Sequence, residues 1–295
     1  MELGTNNLPD CSNMCHEATG RALSVALGTG KGTVDLVDWE KADCLIVMGV
    51  NAASNAPRML TSLAKAYRRG AQIVHVNPFI EAASRTTIVP HEIASMMLFH
   101  PTRIGTLNIQ PRIAGDMSLM RGVAKHLLEA SVIDPGAIDW RFIERNTAGF
   151  ETDTGRANFS TAQLADCVPK SGHLILGTVR SHDQWNTTIY SDGDRYRGVK
   201  NLRTLVFMNE EDMWDRGLKK YDLVDLTSFA KDGSTRQLAG FRAIPYNLPR
   251  GCAMGYMPEM NALCPIGDYS ARSDQPLMKH VIVEIRPSNV RSSMG

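Results

Sequence analysis

Short apolar runs, each stopped by a polar or glycine-containing loop, set the rhythm of the first half of the chain. Asp43 to Val50 (DCLIVMGV) is one run and Ala71 to Val76 (AQIVHV) is the next. Neither alternates strictly between apolar and polar, which is the pattern of parallel strands covered on both faces. Between them, Pro57 opens and Gly70 ends a segment from Arg58 to Arg69 that reads as a helix. Strand, helix and strand make a βαβ unit, whose crossover is right-handed in nearly all cases. Ligands bind such sheets outside the carboxyl ends of the strands, so Gly49 to Asn55 and Asn77 to Glu81 are expected on one rim.

From Met117 to Arg145 helical spacing dominates. Leu119, Val123, Leu127 and Leu128 share one face, and Asp134-Pro135 starts a further helix with Ile138, Phe142 and Ile143 inward. After Gly149 the pattern shifts to short strand candidates punctuated by Gly and Pro: 173–176, 204–207, 223–226, 243–244 and 281–285. Asn209, with Glu210, Glu211 and Asp212 behind it, reads as the cap and acidic first turn of one short helix ending at Gly217. Short strands with crossing connections point to a small barrel. The expected fold class is therefore α/β: a Rossmann-like parallel-sheet domain over residues 1–150, then a β-barrel domain over 151–295.

Composition narrows the partners. With 295 residues, 43% apolar and 21% charged, the chain is an ordinary globular protein long enough for two cores. A net charge of +1 gives no case for nucleic acid or an acidic membrane as partner. No apolar run reaches the roughly 18–20 residues of a membrane span, and Met1-Glu2-Leu3-Gly4 does not read as a signal peptide, so a cytoplasmic location is expected. Six scattered cysteines do not make a disulfide framework. Cys44 and Cys167 read as core thiols, and Met96, Met97, Met117 and Met120 as core filling.

Candidate chemistry gathers at three stations. The first is Gly4 to Cys15 (GTNNLPDCSNMC) followed by His16-Glu17, a thiol and an imidazole where a polar loop meets an amphipathic segment. A thiolate at a helix start is stabilised by the dipole and free N–H groups and is a good soft metal ligand, and an imidazole can move protons. A structural cysteine beside a surface histidine, or a zinc ligand pair with Cys11, fits the same spacing. The second station is Thr178 to Thr188, where Arg180 offers a planar donor fork and Ser181, His182, Gln184, Asn186 and Thr187 add donors and acceptors. A solvated loop is the plainer alternative. The third is Arg250 to Asn261, whose small residues permit close backbone approach to a ligand, with a tight β turn as the alternative.

The run GTNNLPDCSNMCHE at 4–17 resembles the active-site segment of molybdopterin-dependent oxidoreductases, in particular the formate dehydrogenase-like alpha-subunit branch (FdhF/YdeP). Arg180 to Gln184, Asn186 to Tyr190 and Asp194 to Gly198 resemble that branch's later cofactor loop, and Gly251 to Asn261 another loop of the same domain. The resemblance implies a two-electron oxidoreductase acting on a small molecule such as formate, with bis-molybdopterin guanine dinucleotide and molybdenum or tungsten as cofactor. It implies Cys15 as metal ligand and His16 as proton acceptor. Gly49, Asn51, Asn55, Asn77 and Glu81 would cradle one dinucleotide, the helix-start donors suiting phosphates. Arg180, Ser181, His182, Gln184, Asn186, Thr187 and Asn261 would face the cofactor from the cap domain, a six-stranded double-psi barrel. An electron-acceptor protein is an implied partner. The 4Fe-4S cluster common in the family has no evident ligands in this chain. An upstream region and a central stretch of the family pattern are not represented, the join falling near Thr152 to Thr154. The alternative function is a shortened, non-catalytic cofactor-binding remnant or subunit.

Overall fold

The computed structural model describes residues 15–89, 91–130 and 149–289; Cys11 and the helix expected from Asp134 lie outside them. Two helices come first, α1 (Glu17–Leu27) and α2 (Leu36–Lys41). The second is held by a reciprocal cap in which Asp35 and Asp38 each accept from the other's backbone N–H. β1 (Cys44–Met48) and β2 (Gln72–Val76) then pair in parallel, Leu45 beside Ile73 and Val47 beside His75. Their connection carries α3 (Ala52–Asn55) and α4 (Met59–Arg68), and Gly70 turns out of α4 at φ 99°. A small antiparallel pair, β3 (Thr86–Thr87) and β4 (Thr102–Arg103), brackets α5 (Ile93–Met97). β5 (Leu107–Ile109) completes a three-stranded parallel sheet in the order β1-β2-β5, and α6 (Asp116–Glu129) follows.

One face of this sheet is a core. Leu60, Leu63 and Ala64 of α4 pack with Val47, Ile73, Val89 and Ile104. The other face is open: Ile46, Met48 and Leu107 expose 47%, 39% and 51% of their surface. Cys44, expected in a core, is exposed on this edge strand, and Cys167 is half-buried in an irregular segment. The four methionines expected as core filling are also on the surface, Met97 at 75%. Helix α6 buries none of its residues: Val123 and Leu128 are exposed, and Leu119 and Leu127 half-buried. Helical spacing marks an apolar stripe but does not supply the surface that covers it.

The second half closes into a barrel. β6 (His173–Val179), β7 (Leu205–Met208), β8 (Leu223–Phe229), β9 (Thr235–Pro245), β10 (Cys252–Tyr256) and β11 (Val281–Pro287) join in the order β10-β6-β11-β8-β9-β7. The expected short helix is α7 (Glu210–Trp214), capped by the Asn209 side chain. Alternate residues serve two cores. Leu174, Leu176, Val206, Leu226, Ala253 and Val283 form one cluster. Ile175, Phe207, Ile244, Cys252, Met254 and Tyr256 form the other, with Phe79 and Ile113 from the first half. The Arg250 to Asn261 run, whose small residues read from sequence as a ligand-approaching loop or a tight β turn, instead holds β10, a strand buried on both sides. Its Gly255 serves packing: a Cβ there would lie 2.2 Å from Cε of Met260.

Arg203, just before β7, ties the loops at one end of the barrel together. Its guanidinium donates to Glu259 (2.6 and 3.1 Å), Ser181 Oγ (2.9 Å), Gln184 Oε1 (3.3 Å) and the carbonyls of Ser191 (3.1 Å) and Met257 (2.9 Å). It lies between the rings of Tyr190 and Tyr256, 4.2 and 5.0 Å from their centroids. Only 8% of the residue is exposed, so each of those bonds replaces one with water that it cannot otherwise make.

Two outcomes follow from these interiors. Arg203→Met is expected to lower unfolding free energy by about 3–5 kcal/mol, because it leaves Glu259 without its cation in a largely buried place; a urea titration within about 1 kcal/mol of wild type would contradict the hub. His75, 5% exposed, has one imposed partner, its Nε2 lying 3.1 Å from the carbonyl of Ile104. Burial lowers its proton affinity below the ordinary 6.5. The unfolded chain therefore takes up the proton first on acidification. The stability carried by neutral His75 is complete above about pH 6.5 and is lost as pH falls toward the lowered value. His75→Gln should flatten the pH 7 to 5 decline of the urea midpoint; an unchanged slope would show that His75 does not carry it.

Candidate functional site

A cleft of about 390 Å³ opens where the two halves meet, lined from both sides. Its first wall comes from the carboxyl ends of β1 and β2, as expected for a parallel sheet. Gly49 leaves β1 at φ 65° with nothing within 4 Å of where a Cβ would stand, so the backbone presents itself to open space. Asn51 stands just before α3 with no side-chain bond to the helix, and Asn55 ends it. Asn77 leaves β2 and accepts from the Phe79 N–H at 3.0 Å, folding the chain into a turn that sends Phe79 toward the barrel. The second wall is the end of β6 and the loop after it, Thr178 to His182, with Lys279 from the approach to β11. Cys15, in the turn before α1, stands at the junction.

The Cys15 corner carries two cations. Nη2 of Arg180 lies 3.4 Å from Cys15 Sγ, and Gln275 Nε2 donates to the Cys15 carbonyl at 3.2 Å. Gln275 Oε1 also accepts the Ala18 N–H at 3.1 Å, which pins the start of α1. Lys279 is exposed as a residue, but its ammonium end enters the cleft and donates to the Thr178 carbonyl. Burial, and then the nearby Arg180 charge, hold that ammonium down to about 8, with Cys15 acting in the opposite direction.

The far side of the cleft is a charge clasp. Arg197 donates to Glu81 at 2.5 Å, to Asp194 at 2.6 Å and to the Arg180 carbonyl at 2.8 Å. It lies 4.7 Å over the ring of Phe79, which stacks on Tyr246. Tyr256 donates to Asp194 at 2.9 Å. Burial alone would lower the proton affinity of Arg197, but the two carboxylates raise it above the ordinary value and keep the cation. Burial, together with the carboxylate of Glu81, pushes the Tyr246 hydroxyl up to about 12.

Of the residues named from sequence, the structure brings Cys15, Gly49, Asn51, Asn55, Asn77, Glu81, Arg180, Ser181 and His182 to the cleft. It does not bring the others. His16 is an exposed N-cap residue outside the lining. Gln184 is spent inside its own loop: its Oε1 accepts from Ser181 N and Oγ, and its Nε2 donates to the carbonyls of Asn186 and Met257. Asn186 is buried in that turn at φ 48°, Thr187 lies in the same turn, and Asn261 sits in a short helical turn after β10. Within the lining, Ser181 and Glu81 are also committed, to Arg203 and to Arg197. His182 packs edge-on to Tyr196 and shares its Nε2 between Arg195 (2.9 Å) and Asp183 (3.0 Å), one tautomer serving each. Sequence reasoning missed Gln275 and Lys279, and gave no separate role to Thr178, Asp194 and Arg197 within the runs that it named. Asp194 and Arg197 stand in a motif already singled out; Lys279 is one lysine before an apolar strand, with nothing in its neighbours to mark it.

The lining fits a polar, anionic, extended ligand. Thr178 Oγ1 and Asn51 Oδ1 are buried in it without a partner. Buried polar atoms are seldom left so. Among the described residues, no group of three or more His, Cys, Asp or Glu is placed to hold a metal by itself. No helix among the described residues is long and apolar enough to cross a membrane.

Comparison with known proteins agrees with this picture. Residues 174–281 match the family model of the molydopterin dinucleotide binding domain, which is the barrel. The chain is 40% identical over 195 residues to protein YdeP of Escherichia coli, covering 59% of this chain and 26% of that one. It is 44% identical over 149 residues to an uncharacterized oxidoreductase of Mycobacterium bovis, covering 50% and 19%. With a formate dehydrogenase subunit alpha of Methanocaldococcus jannaschii it shares 26% over 149 residues, again 50% and 19%. The chain thus spans about a quarter or less of the length of these relatives. The barrel thus matches a molydopterin dinucleotide binding domain along most of its length, and the chain's similarity to YdeP, an oxidoreductase and a formate dehydrogenase alpha subunit supports a molybdopterin oxidoreductase of that type.

Proposed function

We propose that this chain holds a molybdopterin guanine dinucleotide cofactor in the cleft between its halves and takes part in two-electron oxidation of a small molecule. The observation that carries the reading is the Cys15 corner: an exposed thiol, with Arg180 at 3.4 Å, at one end of a cleft whose buried Thr178 and Asn51 oxygens lack partners. The bound group would supply the two-electron chemistry through its molybdenum or tungsten. Cys15 would be the protein's ligand to that metal, since a thiolate is a soft donor.

The chain's own residues then bind and orient. Arg180 and Lys279 would meet anionic parts of the ligand near Cys15, Arg180 with a planar fork and Lys279 as a point charge. Gly49 would let backbone approach closely at the other end, and Asn51, Asn55 and Asn77 would offer amide donors and acceptors there. Ser181 and Gln184 would keep the loop in shape. His16, one residue from Cys15 and exposed, is the proton acceptor in this reading. An oxidised-carbon substrate such as formate, and an electron-acceptor protein, belong to the proposal and rest on the similarity to a formate dehydrogenase subunit.

A second reading is favoured by the open sheet face and the uncovered α6: the chain is a cofactor-binding part of a larger assembly and not a competent enzyme by itself. The full chain, made in a host that builds the cofactor, separates the readings. Molybdenum or tungsten near one per chain, pterin fluorescence after oxidation and turnover support the first. Metal and pterin without turnover support the second, and absence of both sinks cofactor binding altogether. Cys15→Ala is expected to abolish metal-dependent turnover with the urea midpoint unchanged, because the thiol is exposed and packs no core. Unchanged turnover in that variant would refute the ligand assignment.

A further inference from the structure

We infer that Arg197 is a positioning residue for the working corner of the cleft: it anchors Arg180 to the α/β half and so holds the Arg180 guanidinium against Cys15. The inference deepens the proposed function and rests on its reading of Cys15 and Arg180 as working residues.

The path is short. Nη1 of Arg197 donates to the Arg180 carbonyl at 2.8 Å and to Asp194 at 2.6 Å, while Nη2 donates to Glu81 at 2.5 Å. Glu81 belongs to the α/β half, just after β2; Asp194, Arg197 and Arg180 belong to the barrel half. Asp194 is fixed in turn by the Tyr256 hydroxyl and the Arg197 backbone N–H. The Arg197 side chain is 10% exposed and the Glu81 and Asp194 side chains 8% and 1%, so this is an interior network and not a surface pair. Arg180 receives that grip at its carbonyl, and its side chain leaves from the same backbone toward Cys15. A guanidinium can meet three acceptors on two arms while its carbon lies over a ring, here that of Phe79. A lysine at 197 would keep the charge and one or two of the bonds. Gln275 and Lys279 also face Cys15, and the hydrogen bonds they donate go to Cys15 and Thr178 and not to Arg197, so they give Cys15 an environment that does not depend on the network.

Cys15 reports on this without any cofactor. A guanidinium beside a thiol speeds its attack on an alkylating agent. Cys44 is also an exposed thiol, on edge strand β1 and outside the cleft lining, and serves as internal reference. The full chain, purified free of metal and pterin, is treated with iodoacetamide, and labelling of the two cysteines is followed by peptide mass spectrometry. Arg180→Met should lower the Cys15 to Cys44 rate ratio about two- to fivefold, the range of a single exposed charge contact. Arg197→Met should lower it in the same direction, and the double variant should go no lower than Arg180→Met alone. Arg197→Lys should fall between wild type and Arg197→Met, a partial rescue that general loosening would not give. Should Arg197→Met fail to fold, Glu81→Gln removes only the far anchor and should also lower the ratio. An unchanged ratio in Arg197→Met or Glu81→Gln overturns the inference, as do additive effects in the double variant or an Arg180→Met that leaves the ratio where it was. The proposed function fails separately, through absent metal and pterin in the loaded preparation, whatever these ratios do.

Discussion

The contact on which the rest depends is the Arg197 guanidinium held between Glu81 of one half and Asp194 of the other, over the ring of Phe79. Two interiors could otherwise drift. The α/β half has its own core under one face of its sheet, and the barrel has its own inside. What makes them one cleft is the shared third cluster, where Phe79 and Ile113 enter the barrel's outer layer, and the ion network laid over it. Two carboxylates on one buried cation are stable only because each has a further donor or the guanidinium's second arm; removing the cation would strand both. Burial makes the network strong and also geometrically strict, which is what a cleft needs if its two walls are to present residues to one ligand.

The polar residues at this end of the molecule divide by what they face. Ser181, Gln184 and Arg203 look inward and bond to one another, so the loop after β6 keeps a shape without a ligand. Arg180, Thr178 and Lys279 line the cleft. A loop rich in donors and acceptors is thus partly a scaffold, and the share of it left for a ligand is smaller than its composition suggests. Preorganisation of this kind lowers the ordering cost of binding.

Much of the architecture was legible in the sequence. Uninterrupted apolar runs gave β1 and β2, Gly70 and Pro57 bracketed α4, and Asn209 with its acidic turn marked α7. The rim holding Gly49, Asn51, Asn55 and Asn77 followed from the parallel pairing alone. β10 was hidden because Gly251 before it and Gly255 within it imitate a turn or a ligand loop. The methionines and α6 were misjudged because periodicity reports an apolar stripe and says nothing of what covers it. At the site, residue type found the donors and acceptors but could not tell which were already taken: Glu81 is spent on Arg197 and Gln184 on its own loop and the Met257 carbonyl, while Lys279, a lone lysine before a strand, reaches the cleft.

The central claim is that the two halves are coupled through Glu81 and Arg197 into a single cleft. A double-mutant cycle across Glu81→Gln and Arg197→Met, read by urea unfolding of the full chain, tests it most directly. The account predicts strong non-additivity, a coupling of at least about 1 kcal/mol between residues of different halves. Effects that simply add, with a coupling near zero, would contradict it.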